Sequence, residues 1–240
     1  MKKVIILVVA CVLCATMPAV AKPKSLWLLG DATAVDYSAD SLSAYGWGKA
    51  FEQYTSPRYK LENVSTIGMS AKTFMESDLL QKMQRLRNRS IVILQFGAND
   101  LKEYSSKQYT QLDAFTRRLQ EIIKLARENR INIVLCTPLA QPFYRNGELI
   151  DRYGGYAEAV RRVAEHNHLP VIDLEGSTKT WLLGMTEQEA AAYYVTLDAD
   201  QLVGAEYQLN EAGANEVARM AKEAIQGGKS PKLKKVLKKD

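Results

Sequence analysis

Five short apolar runs alternate with longer amphipathic stretches along this chain, and that alternation leaves few folds open to it. Runs 26–30, 59–64, 91–96, 131–136 and 169–173 read as strands, most of them apolar at nearly every position. Such strands need cover on both faces, which points to a parallel sheet rather than an antiparallel one. The stretches between them read as helices. The clearest spans 106–129, where Leu112, Phe115, Leu119, Ile122 and Ala126 recur at three- and four-residue steps. Others span 156–166 and 210–225, the last with Asn210 placed as its N-cap. Strand and helix in alternation predict an α/β fold: a three-layer α/β/α sandwich around a doubly wound parallel sheet of about five strands.

The chain's 240 residues suffice for one such domain, and neither an internal repeat nor a linker divides it. Its first 21 residues read as something else. Lys2-Lys3, an apolar run and Ala19-Val20-Ala21 have the order of a secretory signal peptide and its cleavage site. The expectation is a secreted or periplasmic bacterial protein whose mature part begins near Lys22. A competing expectation is lipoprotein processing at "VVAC", with anchoring through Cys11. Loss of the leader removes Cys11 and Cys14 and leaves Cys136, so no disulfide forms within the mature chain. Cys136, inside "INIVLC", reads as a small apolar filler.

Charge is concentrated at one end. The formal net charge is +5, but residues 227–240 hold six lysines and one aspartate. Without that tail and Lys2-Lys3, residues 22–226 sum to −2. The basic character belongs to the tail, expected to form a solvated or partly helical extension that could contact an anionic polymer or membrane surface. Nothing calls for nucleic acid, a metal or a cofactor.

In open α/β sheets, sites lie beyond the carboxyl ends of the strands. The segments found there are "GDATAV", "STIGMSAKTF", "GANDLKEY", "TPLAQPFYRNGELIDRYGG" and "DADQLVGAEYQLNEAGA". Taken in order they resemble the SGNH (GDSL-type) hydrolases, of flavodoxin-like architecture, and within them the rhamnogalacturonan acetylesterase-like branch. The family's G-D-S-T block is here "GDAT"; its G-W-G is Gly46-Trp47-Gly48; its second block has Asn63 followed by Gly68; its G-x-N-D is Gly97-Ala98-Asn99-Asp100. The last block, D-x-x-H-L-N-x-x-G-A, is here "AEYQLNEAGA" from Ala205. The resemblance covers about residues 25–226.

The resemblance implies a serine nucleophile, a histidine base and an aspartate that orients it. It also implies an oxyanion hole made of two backbone N–H groups and an asparagine side chain. Carried over by position, the oxyanion elements are the backbone of Ala32, Gly68 and the side chain of Asn99. The triad positions hold Ala32, Gln208 and Ala205, so none of the three catalytic side chains is present. His166 and His168, the chain's two histidines, lie between a helix and the following strand, on the opposite side of the sheet. Thr33 has a hydroxyl but no evident base, and Ser70 is expected to bond within its own turn.

Asp31, Thr33, Trp47 and Asp100 are candidates for ligand contact, and Tyr144, Tyr153, Tyr193 and Tyr194 for a sugar platform; each could equally serve turn or core. The expectation is a secreted, non-catalytic relative of carbohydrate acetylesterases that holds an acetylated or pectin-like glycan. The alternatives are an active esterase with an unusual nucleophile and a structural or assembly subunit.

Overall fold

A computed structural model describes residues 23–38, 43–86, 89–101, 106–195 and 207–239. The first half of the chain forms β1 (Lys24–Leu29), α1 (Trp47–Ala50) with a 3₁₀ turn (Phe51–Tyr54), β2 (Tyr59–Asn63), α2 (Ala71–Met75), α3 (Asp78–Gln84), β3 (Ile91–Gln95) and α4 (Leu112–Glu128). The second half forms β4 (Asn132–Cys136), the hairpin β5 (Tyr144–Arg145) and β6 (Glu148–Leu149), α5 (Gly154–His166), β7 (Val171–Ile172), α6 (Leu174–Leu183), α7 (Glu187–Ala191), β8 (Tyr194–Val195), β9 (Gln208–Leu209), α8 (Glu211–Gly227) and α9 (Pro231–Lys234).

The central sheet has the order β2-β1-β3-β4-β7, and every pairing in it is parallel. Its strands divide their side chains between two cores. Leu26, Leu28, Ile91, Ile93 and Val134 pack with α1 and α8, against Trp47, Phe51, Val217 and Ala221. Trp27, Leu29, Val92, Leu94 and Leu135 pack with α2, α4 and α5, against Phe74, Phe115, Ile122 and Val160. This is the three-layer sandwich expected from apolar strands. The chain steps from β1 out to β2 and then returns to β3 on the other side of β1. Such a reversal is where open α/β sheets place their crevice, here at the carboxyl ends of β1 and β3.

Several boundaries differ from the sequence reading for identifiable reasons. Helix α4 begins at Leu112, not 106, because the backbone of Thr110 is engaged elsewhere. Thr110 N donates to Asp100 O at 3.0 Å, and Thr110 O accepts from Tyr156 Oη at 2.7 Å. Leu112, at the helix start, is an exposed end of the stripe rather than part of the core. The last sheet strand is only Val171–Ile172, since Pro170 has no N–H to offer and Asp173 turns away to cap α6 through Gly176 N. Asn210 caps α8 as expected, accepting from Gly213 N at 3.0 Å. Cys136 is buried in the sheet, and burial pushes its thiol well above the usual range.

The lysine-rich tail differs most. It is partly helical, as expected, at α9, but it is a strap along the amino edge of the sheet rather than an extension. Leu233, Val236 and Leu237 are buried in the core shared with α8. Ser56 N donates to Val236 O at 2.7 Å, Lys238 N donates to Tyr54 O at 2.8 Å, and Leu237 forms a bridge with Thr55. The leader, with Cys11 and Cys14, lies outside the described residues, as does Ala205.

Candidate functional site

Register sets the neighbours at the crevice. β1 ends with Leu29 beside Leu94, so Gly30 leaves the sheet next to Gln95. Gln95 is fully buried at the end of an apolar strand, and both ends of its amide are used. Trp47 Nε1 donates to Gln95 Oε1 at 3.0 Å, and Gln95 Nε2 donates to Thr33 Oγ1 at 3.2 Å. The Thr33 hydroxyl donates to Asp31 Oδ1 at 2.7 Å, which also accepts from Thr33 N at 2.9 Å. Buried polar atoms are costly unless paired, and this relay pairs them across three loops.

Trp47 is thereby corrected from a ligand candidate to a core residue. It has no exposed surface, and its N donates to Thr33 O at 2.9 Å. The glycines flanking it permit that approach. A Cβ at Gly46 would lie 2.0 Å from Val35 O, and one at Gly48 would lie 2.5 Å from Ala34 O. Asp31 and Thr33 are buried with their bonds directed into the turn.

The second loop is tied to the first by Thr66 N, which donates to Gly30 O at 3.0 Å. It turns at Gly68 with φ +77°, a conformation that favours glycine. Asn99 then links the third loop to the second, its Nδ2 donating to Met69 O at 2.9 Å. Asn99 Oδ1 is buried and has no hydrogen-bond partner among the described residues. Asp100 is also buried, and it accepts from Ala71 N at 3.1 Å and from Gly97 N at 3.1 Å. It is a loop-binding carboxylate turned away from solvent; burial raises it to about 7 against those hydrogen bonds. Ser70 caps α2 in a reciprocal capping box with Thr73, the local role expected of it.

Ala32 and Gln208, 176 positions apart in the chain, meet through a residue that sequence reasoning passed over. Tyr37 Oη lies 2.8 Å from Ala32 O and 3.2 Å from Gln208 Oε1, as donor to these acceptors. Ala32 is 1% exposed and Gln208 3% exposed. Gln208 is held by the pairing of β9 with β8, where it faces Val195. Next to it, Tyr207 packs edge-on against Phe143 at 5.1 Å and against Tyr194 at 6.0 Å. The Arg152 guanidinium sits 4.0 Å from the Phe143 ring centre. Of the tyrosines proposed for a platform, Tyr194 belongs to this wall. Tyr193 instead packs on Trp181 at 4.7 Å, and Tyr144 donates to Leu182 O at 2.8 Å.

His166, the last residue of α5, and His168, between α5 and β7, are exposed at the amino edge of the sheet and away from the crevice. Among the described residues no three His, Cys, Asp or Glu side chains group as metal ligands would. The crevice therefore offers backbone N–H groups, amides and hydroxyls, but no imidazole.

The GDSL-like lipase/acylhydrolase family model matches residues 28–215, from within β1 into α8. The chain belongs to that family. This is the SGNH hydrolase group whose motifs the loops carry. Rhamnogalacturonan acetylesterase RhgT of Bacillus subtilis strain 168 is 28% identical over 213 residues, covering 85% of this chain and 90% of that protein. The crystal structure of Bacillus subtilis protein YXIM superposes with a TM-score of 0.72 at 20% identity. That match covers 85% of this chain and 56% of that one, so the chain spans little more than half of YXIM. The acetyl xylan esterase AlAXEase superposes with a TM-score of 0.60 at 22% identity, over 84% of this chain and 99% of that one.

Proposed function

We propose that this family member holds an acetylated, pectin-type glycan at the carboxyl edge of its sheet without hydrolysing it. The observation that carries the reading is the Ala32–Tyr37–Gln208 contact. Where the family's chemistry needs a hydroxyl beside an imidazole, this chain has the methyl group of Ala32 and the carboxamide of Gln208, and the Tyr37 phenol links the Ala32 backbone carbonyl to that carboxamide. A carboxamide does not accept a proton at neutral pH, so no general base stands at that position. Loss of the serine or the histidine from a triad costs on the order of 10⁶ in rate. What remains suits binding: the Gly68 turn, Asn99, and the aromatic wall of Phe143, Tyr194 and Tyr207. Aromatic faces of this kind pack against the apolar faces of sugars.

A second reading, an esterase with Thr33 as nucleophile, has one observation in its favour: the Thr33 hydroxyl lies 2.7 Å from a carboxylate oxygen. Against it, that hydroxyl is buried and also accepts from Gln95. Incubation with acetylated rhamnogalacturonan oligosaccharides separates the two. Retention of the oligosaccharide with no release of acetate is expected. Sustained acetate release, abolished by Thr33→Val, would establish the second reading in its place.

We further propose export by the leader, on the grounds of Lys2-Lys3, the apolar run and Ala19-Val20-Ala21. N-terminal sequencing of the exported protein should then begin near Lys22. A lipidated start at Cys11 would replace that reading with an anchored one.

A further inference from the structure

The edge of the sheet opposite the crevice carries the lysine-rich C-terminal strap. Residues 228–239 cross it. Ser230 and Leu233 border a groove of about 450 Å³ with His168 and Leu169 at the start of β7. The Lys232 ammonium donates to Asn132 Oδ1 at the start of β4. Val236 and Leu237 dock on Thr55 and Ser56 just before β2. The strap thus runs from one side of the sheet to the other, about 20 Å at the usual spacing of strands. It lays its six lysines along that path.

The chain's entries into the strands add cations to the same edge: Lys24, Arg58, Arg89, Arg127 and Arg130. Backbone bonds hold them in place. Lys24 N donates to Arg58 O at 2.9 Å, and Arg89 N donates to Arg130 O at 2.9 Å. In segments 56–58, 89–90, 127–131 and 165–170 the acids are Glu128 and Glu165. Neither is ion-paired to any of these five cations among the described residues. A row of unneutralised cations with few anions between them attracts polyanions and raises their rate of encounter.

We propose that this amino edge binds an acidic polysaccharide, an extended chain bearing carboxylates along its length. The row is linear and made of exposed ammonium and guanidinium groups, which matches a linear polyanion. It lacks what a lipid surface would need. The strap's large apolar side chains, Leu233, Val236 and Leu237, face the core. The exposed large apolar residues among those described, Leu112, Ile150 and Leu183, belong to other parts of the molecule. The surface is distinct from the crevice, so the inference does not depend on the hydrolytic state of the site. It would hold the protein on a polymer while the crevice meets acetylated segments.

The test uses the mature chain with polygalacturonate, with the same polymer fully methyl-esterified, and with phosphatidylglycerol vesicles. Binding to polygalacturonate is expected, weakening steeply as salt rises, with at least tenfold weaker binding to the esterified polymer. Two variants separate strap from body: Lys234→Gln with Lys238→Gln, and Lys24→Gln with Arg58→Gln. These side chains are exposed, and unaltered thermal unfolding would establish that the fold is kept. Each pair should weaken polygalacturonate binding several-fold if the row is one surface. Equal binding to both polymers, no effect of either pair, or stronger binding to vesicles than to polygalacturonate would each overturn the proposal. Failure here leaves the acetate-release result untouched, and the reverse holds as well.

Discussion

Asp100 illustrates how a residue can keep a motif's identity while serving the scaffold. Burial favours its neutral form, and the bonds from Ala71 N, the Thr110 side chain and Gly97 N oppose this without overcoming it, which leaves the carboxyl at about 7. In the unfolded chain an aspartate titrates near 4. The folded protein therefore holds a proton that the unfolded chain releases. Stability from this group is complete below about pH 4 and is lost as pH rises through about 7. Asp100→Asn removes that dependence. In denaturant melts from about pH 4.5 to about pH 7.5, the stability of the unaltered protein should fall relative to that of the variant. Parallel curves would mean that Asp100 does not titrate in this window. Gln95 had a signal in the sequence, a polar residue ending the apolar run "IVILQF", and such residues are usually buried with partners. Tyr37 had none. It lies five residues beyond Ala32 in a loop without periodicity, and only the folded turn brings its hydroxyl to Gln208.

At the scale of elements, strands and long helices were legible because burial imposes a period on them. Their ends were less so, because an end is decided by where backbone groups find partners outside the element. Thr110 and Pro170 each show this, one by bonding to Asp100 and Tyr156, the other by lacking a donor. The strap was misread for a different reason. Its lysines dominate the composition, while Leu233, Val236 and Leu237 recur at three- and four-residue steps and turn inward. Their burial predicts that Leu233→Ala destabilises the domain by about 3 kcal/mol, the usual cost of emptying a buried leucine site. Chemical denaturation measures this directly. A change below about 0.5 kcal/mol, typical of exposed positions, would mean that the strap does not dock in solution.

For the whole molecule, fold and site are specified by different residues. The sheet order and both cores need apolar strands, and the loops need Gly46, Gly68 and buried partners such as Gln95. None of this requires a nucleophile. The family's layout could be read in the motifs, since loops that bond to one another across the crevice constrain sequence at many positions. What the crevice holds could not be read there, because a ligand contact is set by side chains on several loops at once. The crevice, on the proposed reading, keeps the family's scaffold without its hydrolytic chemistry. The most direct measurement is acetate release from acetylated rhamnogalacturonan by the unaltered protein, beside a variant with Ala32→Ser, Ala205→Asp and Gln208→His. No release above background is expected from the unaltered protein, and measurable release is expected from the variant. Turnover by the unaltered protein at an ordinary esterase rate would contradict the proposed reading.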